Sequence, residues 1–206
     1  MREFVALLKR PIDAAVRPVV RVLRLKLGLS PDQLTWASFV VSAAGAVPIV
    51  RHHVIAGLVI VFVGQLLDGL DGRMAREFGL ASTRGQRLDD VLDRSAEGIL
   101  FAAFAAGGYA SWSAVGLAFA AVLLVTSIGH RSGIDPGVKR FALYFGPWLG
   151  FPVVFAAVFW IHLAAYVVGL LVLDCRFQLR MDALGGDLDT VASRAAAEEV
   201  AERRAG

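Results

Sequence analysis

The chain has 206 residues, of which 57% are hydrophobic and 19% are charged, and its mean hydropathy is +0.63. Soluble domains are roughly 45–50% apolar and roughly 25% charged, so this composition excludes an ordinary soluble globule, a disordered chain and a secreted disulfide scaffold. The single cysteine, Cys175, permits no intramolecular disulfide. The formal net charge is only +3, but the basic residues are concentrated near the N-terminus.

The first 26 residues carry seven basic and two acidic side chains. Apolar residues recur among them at helical spacing and arginines occupy the opposite face; these are Phe4, Leu8, Ile12, Val16, Val19 and Leu23 against Arg10, Arg17, Arg21 and Arg24. A nucleic-acid-binding arm would be polar throughout, so the pattern favours an amphipathic helix on an anionic membrane surface and no nucleic-acid partner. We predict such a juxtamembrane helix over residues 1–29, bent at Pro11 and Pro18.

Apolar stretches separated by short polar segments fill the middle of the chain. They are Leu34–Val50, Val54–Leu67, Ile99–Tyr109, Ala114–Ile128 and Phe141–Leu173. As one helix the last stretch would be about 50 Å long, against a hydrocarbon core of about 30 Å, so we divide it near Gly150 into a short and a long helix. The sequence predicts an all-α integral membrane protein with six transmembrane helices within residues 30–176. A charged, Ala-rich cytosolic tail follows over residues 177–206.

Basic residues are distributed unequally between the two predicted sides of the membrane. The N-terminal segment, the Arg73–Arg87 stretch and the Gly129–Arg140 loop are basic, whereas the turns on the other side hold one basic residue, Arg51. By the positive-inside rule, both termini and the two polar loops face the cytosol. We therefore expect a protein of the plasma or cytoplasmic membrane whose active site faces the cytosol.

Four aspartates lie near the predicted cytosolic ends of the second and third spans. Asp68 and Asp71 are three residues apart and Asp89 and Asp93 are four apart, so each pair shares one helix face. Carboxylates beside a bilayer need partners, and several anions that converge suit a hard divalent cation such as Mg²⁺, Mn²⁺ or Ca²⁺. For a single aspartate, solvation or pairing with nearby arginines is an equal alternative. Glu97, one turn deeper, can instead be structural and bond a neighbouring helix.

The spacing of these acids also resembles a family signature. Residues 68–93 fit the pattern D-x2-D-G-x2-A-R-x8-G-x3-D-x3-D of the CDP-alcohol phosphatidyltransferase family at all eight fixed positions and at every gap. The fixed positions are Asp68, Asp71, Gly72, Ala75, Arg76, Gly85, Asp89 and Asp93. The six-span layout and the N-terminal helix extend the resemblance to about residues 1–176, and the tail lies outside it.

The resemblance implies a phospholipid-biosynthetic transferase. Such an enzyme moves a substituted phosphate from a CDP-linked lipid, such as CDP-diacylglycerol, to a small alcohol and releases CMP. It implies two divalent cations, Mg²⁺ or Mn²⁺, held by the four aspartates, with Asp93 also acting as the general base. Gly72, Ala75, Arg76 and Gly85 would bind the CDP donor, although small residues in membrane helices also serve close packing. The resemblance also implies a homodimer surrounded by membrane lipids.

The acceptor alcohol is the least constrained part of the prediction. Arg131, Lys139 and Arg140 near the cytosolic ends of the fourth and fifth helices suit a phosphorylated polyol, such as glycerol phosphate or inositol phosphate. An amino alcohol would gain little from three basic neighbours, and cytosolic loops are basic for topological reasons alone. The alternatives are an amino-alcohol acceptor, a transporter that uses the carboxylates, and a catalytically silent scaffold. The one-sided position of the acids and the complete motif favour the enzyme.

Overall fold

The structure is a computed structural model that describes residues 16–205, with the side chains of residues 16–129 and 131–181. All regular elements in this range are α-helices, so the predicted all-α fold is confirmed. The helices are α1 (16–25), α2 (Pro31–Ala44), α3 (Ala46–Val50), α4 (Val54–Glu77), α5 (Thr83–Ala106), α6 (Trp112–Ser132), α7 (Lys139–Leu143), α8 (Gly146–Leu149) and α9 (Phe151–Ala205).

Local sequence signals set the ends of the first helices. The Ser30 hydroxyl accepts a hydrogen bond from the Gln33 backbone N–H at 3.2 Å, and the Gln33 side chain accepts one from the Ser30 N–H at 2.9 Å. This capping box, with Pro31 in the first turn, fixes where α2 begins. The predicted turn between α3 and α4 is confirmed, with His52 in a left-handed conformation at φ 63°.

Small residues let α2 pack closely against α4. A Cβ added at Gly45 would lie 2.9 Å from the Gly57 carbonyl oxygen, and one added at Gly64 would lie 2.9 Å from the Ser42 backbone nitrogen. These separations leave no space for a side chain. The helices run antiparallel, so the start of α2 lies beside the end of α4.

Two apolar clusters hold the bundle together. The larger one joins α5, α6 and α9 through aromatic rings, with centroids 5.0 Å apart for Phe101 and Phe155 and 4.5 Å apart for Phe104 and Phe151. The smaller one buries Val20 of α1 against the start of α2 and the end of α4. The described part of α1 is therefore helical and packed on the bundle. Residues 1–15 of the predicted juxtamembrane helix lie outside the described residues.

Four helical segments are long and apolar enough to cross a membrane. They are Pro31–Val50, Val54–Glu77, Trp112–Gly129 and Phe151–Met181, as searched over the described residues. The chain is thus an integral membrane protein by length and composition of its helices. α5 has 24 residues but a charged first half, and α7 and α8 together provide about 14 Å of helix. The count of six spans stays a prediction.

The predicted bounds of the polar loop, Gly129 and Arg140, are both wrong. α6 continues to Ser132 and stops where Gly133 adopts a left-handed φ of 75°, and α7 begins at Lys139. The connection is therefore only residues 133–138. Lys139 and Arg140 are each 8% exposed, because they form ion pairs with acids of α5 inside the bundle. Those acids are far away in the sequence, so the sequence did not indicate this burial. α9 continues without a break through the predicted tail boundary at residue 176.

Candidate functional site

Three aspartates from two helices converge at one end of the bundle. One carboxylate oxygen from each of Asp68, Asp71 and Asp89 lies within 4.8 Å of the others. At that separation two unit charges repel by about 3 kcal/mol in an effective dielectric of about 20. A cluster of carboxylate oxygens at this spacing is a donor set for a hard divalent cation. The helical register of the sequence predicted this convergence for these three of the four aspartates.

The Asp71 carboxylate is held at both oxygens. Thr35 on α2 donates its hydroxyl proton to Asp71 Oδ2 at 2.6 Å, and the Gly72 backbone N–H donates to Oδ1. Thr35 is 5% exposed and Asp71 is 6% exposed, so both groups are shielded from water. Sequence reasoning missed Thr35. Thr35 lies one helical turn after Pro31, so the sequence places these two residues on the same face of α2. The Asp71 partner follows only from the packing of α2 on α4.

Asp93 lies one helical turn beyond Asp89 and has a different environment. Arg140 Nη2 is 2.6 Å from Asp93 Oδ1, and Arg94 Nη2 is 3.5 Å from Asp93 Oδ2. The structure thus pairs Asp93 with cations and does not bring it into the group of three aspartates. Its predicted roles as metal ligand and general base stay predictions.

Glu97, one further turn along α5, is the centre of a buried ion network. Its carboxylate is 1% exposed. Arg94 Nη1 lies 2.8 Å from Oε2, while Lys139 Nζ and Arg140 Nε lie 3.6 and 3.5 Å from Oε1. With Asp93, the network combines three cations and two anions. The expectation that Glu97 bonds a neighbouring helix is confirmed.

The three residues predicted to bind the acceptor occupy two kinds of environment. Lys139 and Arg140 are buried and paired with the acids of α5. Arg131 is exposed near the end of α6, and its carbonyl oxygen accepts a hydrogen bond from Arg176 Nη1 at 3.0 Å. The structure therefore places two of the predicted acceptor residues beside the predicted base and the third at the exposed end of α6.

An open cavity of about 390 Å³ adjoins the aspartates. It is lined by the start of α2, the end of α4 and the start of α5, and its volume lies within the range of small-molecule pockets. All four residues predicted to bind the CDP donor line it, and these are Gly72, Ala75, Arg76 and Gly85. Asp32 and Thr35 of α2 line it as well. The sequence analysis assigned no role to α2 at the site, so the contribution of α2 to the cavity was not predicted.

Glycine residues leave space in this cavity that a side chain would fill. A Cβ at Gly85 would lie 3.2 Å from Ser82 Oγ and 3.4 Å from Asp32 Oδ1, and a Cβ at Gly72 would lie 3.3 Å from the Arg76 guanidinium. These contacts are with flexible side-chain atoms. At both positions the added atom would occupy cavity space more than it would disturb helix packing.

Part of this chain is similar in sequence to curated proteins. Archaetidylinositol phosphate synthase of Pyrococcus horikoshii is 33% identical over 87 residues, which are 42% of this chain and 46% of that protein. Phosphatidylinositol phosphate synthase of Mycobacterium marinum is 35% identical over 112 residues, 54% of this chain and 45% of that protein. The matches thus span less than half the length of these curated relatives.

Solved structures share the fold. Phosphatidylinositol phosphate synthase of Mycobacterium tuberculosis with CDP-DAG bound superimposes with a TM-score of 0.60 at 24% identity, over 76% of this chain and 89% of that one. The same protein in complex with manganese and citrate gives a TM-score of 0.59 at 24% identity, over 76% and 85%. The family model described as CDP-alcohol phosphatidyltransferase matches residues 29–178. Because that match covers most of the chain, the protein belongs to the CDP-alcohol phosphatidyltransferase family.

Proposed function

We propose that this protein transfers a substituted phosphate from a CDP-linked lipid, such as CDP-diacylglycerol, to a phosphorylated polyol and releases CMP. The observation that carries the proposal is that three converging aspartates adjoin the cavity that all four predicted donor-binding residues line. The two curated relatives are named for inositol phosphate lipids, and the solved relative has CDP-DAG bound. These likenesses support inositol phosphate as the first acceptor to test.

The aspartates fit the divalent cations that the family implies. The cluster of Asp68, Asp71 and Asp89 supplies hard oxygen ligands, whose negative charges repel one another at this spacing unless a cation is bound. Asp93 would share in holding a second ion. Mg²⁺ or Mn²⁺ bound here would supply positive charge against the donor phosphates and the leaving CMP. A manganese complex of the solved relative is in line with this assignment.

The remaining motif residues act on the donor directly. Arg76 is exposed at the cavity wall and offers a guanidinium to a donor phosphate. Gly72, Ala75 and Gly85 leave room for the nucleotide close to the helix backbones. The donor would thus lie with its phosphates toward the aspartates and its lipid chains toward the membrane.

Asp93 removes the proton of the acceptor hydroxyl in this proposal. Arg140 Nη2 lies 2.6 Å from Asp93 Oδ1, and an Asp93 oxygen that keeps a lone pair receives the proton. The ion network of Asp93, Glu97, Arg94, Lys139 and Arg140 has a net charge of one positive unit, which favours an anionic acceptor beside the base. Arg131 would add to this attraction from the exposed end of α6. An amino alcohol gains nothing from the network.

We infer six membrane crossings with the site on the cytosolic side. Arg140 lies beside Asp93 and Phe151 lies beside Phe104, so the segment α7–α8 runs along the same depth as the Asp93–Phe104 part of α5. The segment is short because it begins at the depth of Asp93. We further propose a juxtamembrane helix over 1–29, a catalytic domain over 30–176, a cytosolic tail over 177–206, and a homodimer, as the family resemblance implies.

The direct test is CMP release by the purified full chain in detergent micelles. CDP-diacylglycerol is the donor, Mg²⁺ or Mn²⁺ is added, and inositol phosphate, glycerol phosphate and serine are compared as acceptors. We expect CMP release that depends on the metal and on a phosphorylated polyol. Asp89→Asn should abolish turnover, whereas Asp174→Asn, the same change at an exposed position of α9, should not. CMP release with serine alone, or no release with any acceptor and metal, would overturn the proposal.

A further inference from the structure

Thr35 is a buried hydroxyl on α2 that reaches across to the aspartate cluster on α4 and α5. Its Oγ1 lies 2.6 Å from Asp71 Oδ2, at a sequence separation of 36 residues. We propose that Thr35 is a positioning residue, which orients the Asp71 carboxylate for a divalent cation before the cation arrives. The inference rests on the metal site of the proposed function and adds to it a residue from outside the aspartate motif.

The helix crossing explains how so short a side chain reaches the carboxylate. Gly57, Gly64 and Asp71 are spaced by seven residues and share one face of α4. Gly64 meets Ser38 and Ser42 of α2 without space for a Cβ, and Gly57 likewise meets Gly45, the residue that follows α2. Thr35 lies on the same stripe of α2 as the buried Ser38 and Ser42. The close crossing therefore sets the distance between Thr35 and Asp71.

The Thr35 hydroxyl has two possible acceptors and one proton. The Pro31 carbonyl oxygen lies 3.0 Å from Oγ1, and Asp71 Oδ2 lies 2.6 Å away. A carboxylate is the stronger acceptor and a distance of 2.6 Å is typical of a charge-assisted O–H···O⁻ bond. The Pro31 carbonyl belongs to the first turn of α2 and has the helix's own N–H as a partner. The proton therefore goes to Asp71.

The two hydrogen bonds on Asp71 leave it little rotational freedom. The Gly72 N–H holds Oδ1 and the Thr35 hydroxyl holds Oδ2, and each oxygen keeps a lone pair for a cation. Without Thr35 the carboxylate can turn about its bond to Cβ and move away from the other two aspartates. Partners of this kind are worth about 10–100-fold in metal affinity.

The test is equilibrium Mn²⁺ binding to the purified full chain, followed by electron paramagnetic resonance of the free ion. Thr35→Val removes the hydroxyl and keeps the shape, Thr35→Ser keeps the hydroxyl, and Ser38→Ala removes a buried hydroxyl from the next turn of the same helix. The Ser38 hydroxyl donates to its own helix, at 2.8 Å from the Thr35 carbonyl oxygen, and has no other hydrogen-bond acceptor among the described residues. We expect Thr35→Val to raise the Mn²⁺ Kd by about 10–100-fold, and Thr35→Ser and Ser38→Ala to leave it within about threefold of the parent.

Each other outcome identifies what fails. If the parent binds no Mn²⁺, the metal site of the proposed function is wrong. If the parent binds Mn²⁺ and Thr35→Val binds it equally well, only the positioning role is wrong. Equal losses in Thr35→Val and Thr35→Ser, or in Thr35→Val and Ser38→Ala, would show a packing effect and overturn the inference. Thr35→Ala is used if Thr35→Val does not fold, and failure of both to fold would show that Thr35 is structural.

Discussion

Replacing Glu97 with glutamine should destabilise the folded protein more than any comparable change at its surface. The Glu97 side chain is 1% exposed and has three cationic partners, the nearest of which is Arg94 at 2.8 Å. Lys139 and Arg140 follow at 3.6 and 3.5 Å. Glutamine keeps the shape of the side chain but removes its charge. The two buried cations, Lys139 and Arg140, and the partly buried Arg94 would then share Asp93 as the remaining acid of the network.

The size of the effect follows from burial. Removing one partner of a buried ion pair costs about 3–5 kcal/mol, because the other charge stays desolvated without compensation. Glu77 provides the comparison, since it also pairs with two arginines, Arg17 at 3.4 Å and Arg21 at 2.9 Å. Those arginine side chains are 64% and 56% exposed, and ion pairs of that kind contribute roughly 0–1 kcal/mol.

Both variants can be measured in one experiment. The parent, Glu97→Gln and Glu77→Gln are purified in the same detergent, and the folded fraction is followed by circular dichroism against temperature and against added denaturing detergent. We expect a large loss of stability for Glu97→Gln and a small one for Glu77→Gln. Equal shifts for the two variants would refute the reasoning, because they would show that burial of the network adds nothing to its contribution.

Three further outcomes are expected. Gly64→Ala should cost about 1–3 kcal/mol by overpacking the crossing of α2 and α4, whereas Gly116→Ala, which meets no atom within 4 Å, should be neutral or slightly stabilising in the same unfolding assay. Asp93→Asn should lower turnover far more than it lowers Mn²⁺ affinity, whereas asparagine at any of the three clustered aspartates should lower both. A strong loss of Mn²⁺ affinity in Asp93→Asn would instead place Asp93 among the principal metal ligands. With the native cysteine replaced by serine, cysteines introduced at His52 and Asp135 should react with impermeant reagents from opposite sides of the membrane, and labelling from one side would contradict the topology.

The sequence predicted those features that depend on spacing within one helix. Asp68 and Asp71 share a face of α4 because they are three residues apart, and this holds whatever α4 packs against. The start of α2 at Pro31 was equally predictable, since its capping signals lie within four residues. The motif then placed Gly72 and Gly85 beside the same cavity, although they lie on different helices.

Features that depend on partners far away in the sequence could not be predicted. Lys139 and Arg140 were predicted to end a polar loop because they are charged and follow Gly137, and their acids lie more than 40 residues earlier on α5. The sequence places Thr35 on the face of α2 that carries Pro31 but gives no sign of its partner, because Asp71 lies 36 residues later on another helix. Hydropathy predicted a short fifth span before Gly150, but it did not show the depth in the bundle at which this segment begins.

The acids of α5 have different partners at different positions along the helix. Asp93 and Glu97 each have a cation within 2.8 Å, so the protein itself balances their charge. Asp89, one turn before Asp93, instead faces the carboxylates of Asp68 and Asp71 within 4.8 Å. Arginine at that position would neutralise the cluster permanently and leave no coordination position for a ligand. A divalent cation neutralises the same oxygens and can still bind phosphate, so the three clustered acids are the part of the bundle that is suited to a metal and a phosphorylated substrate.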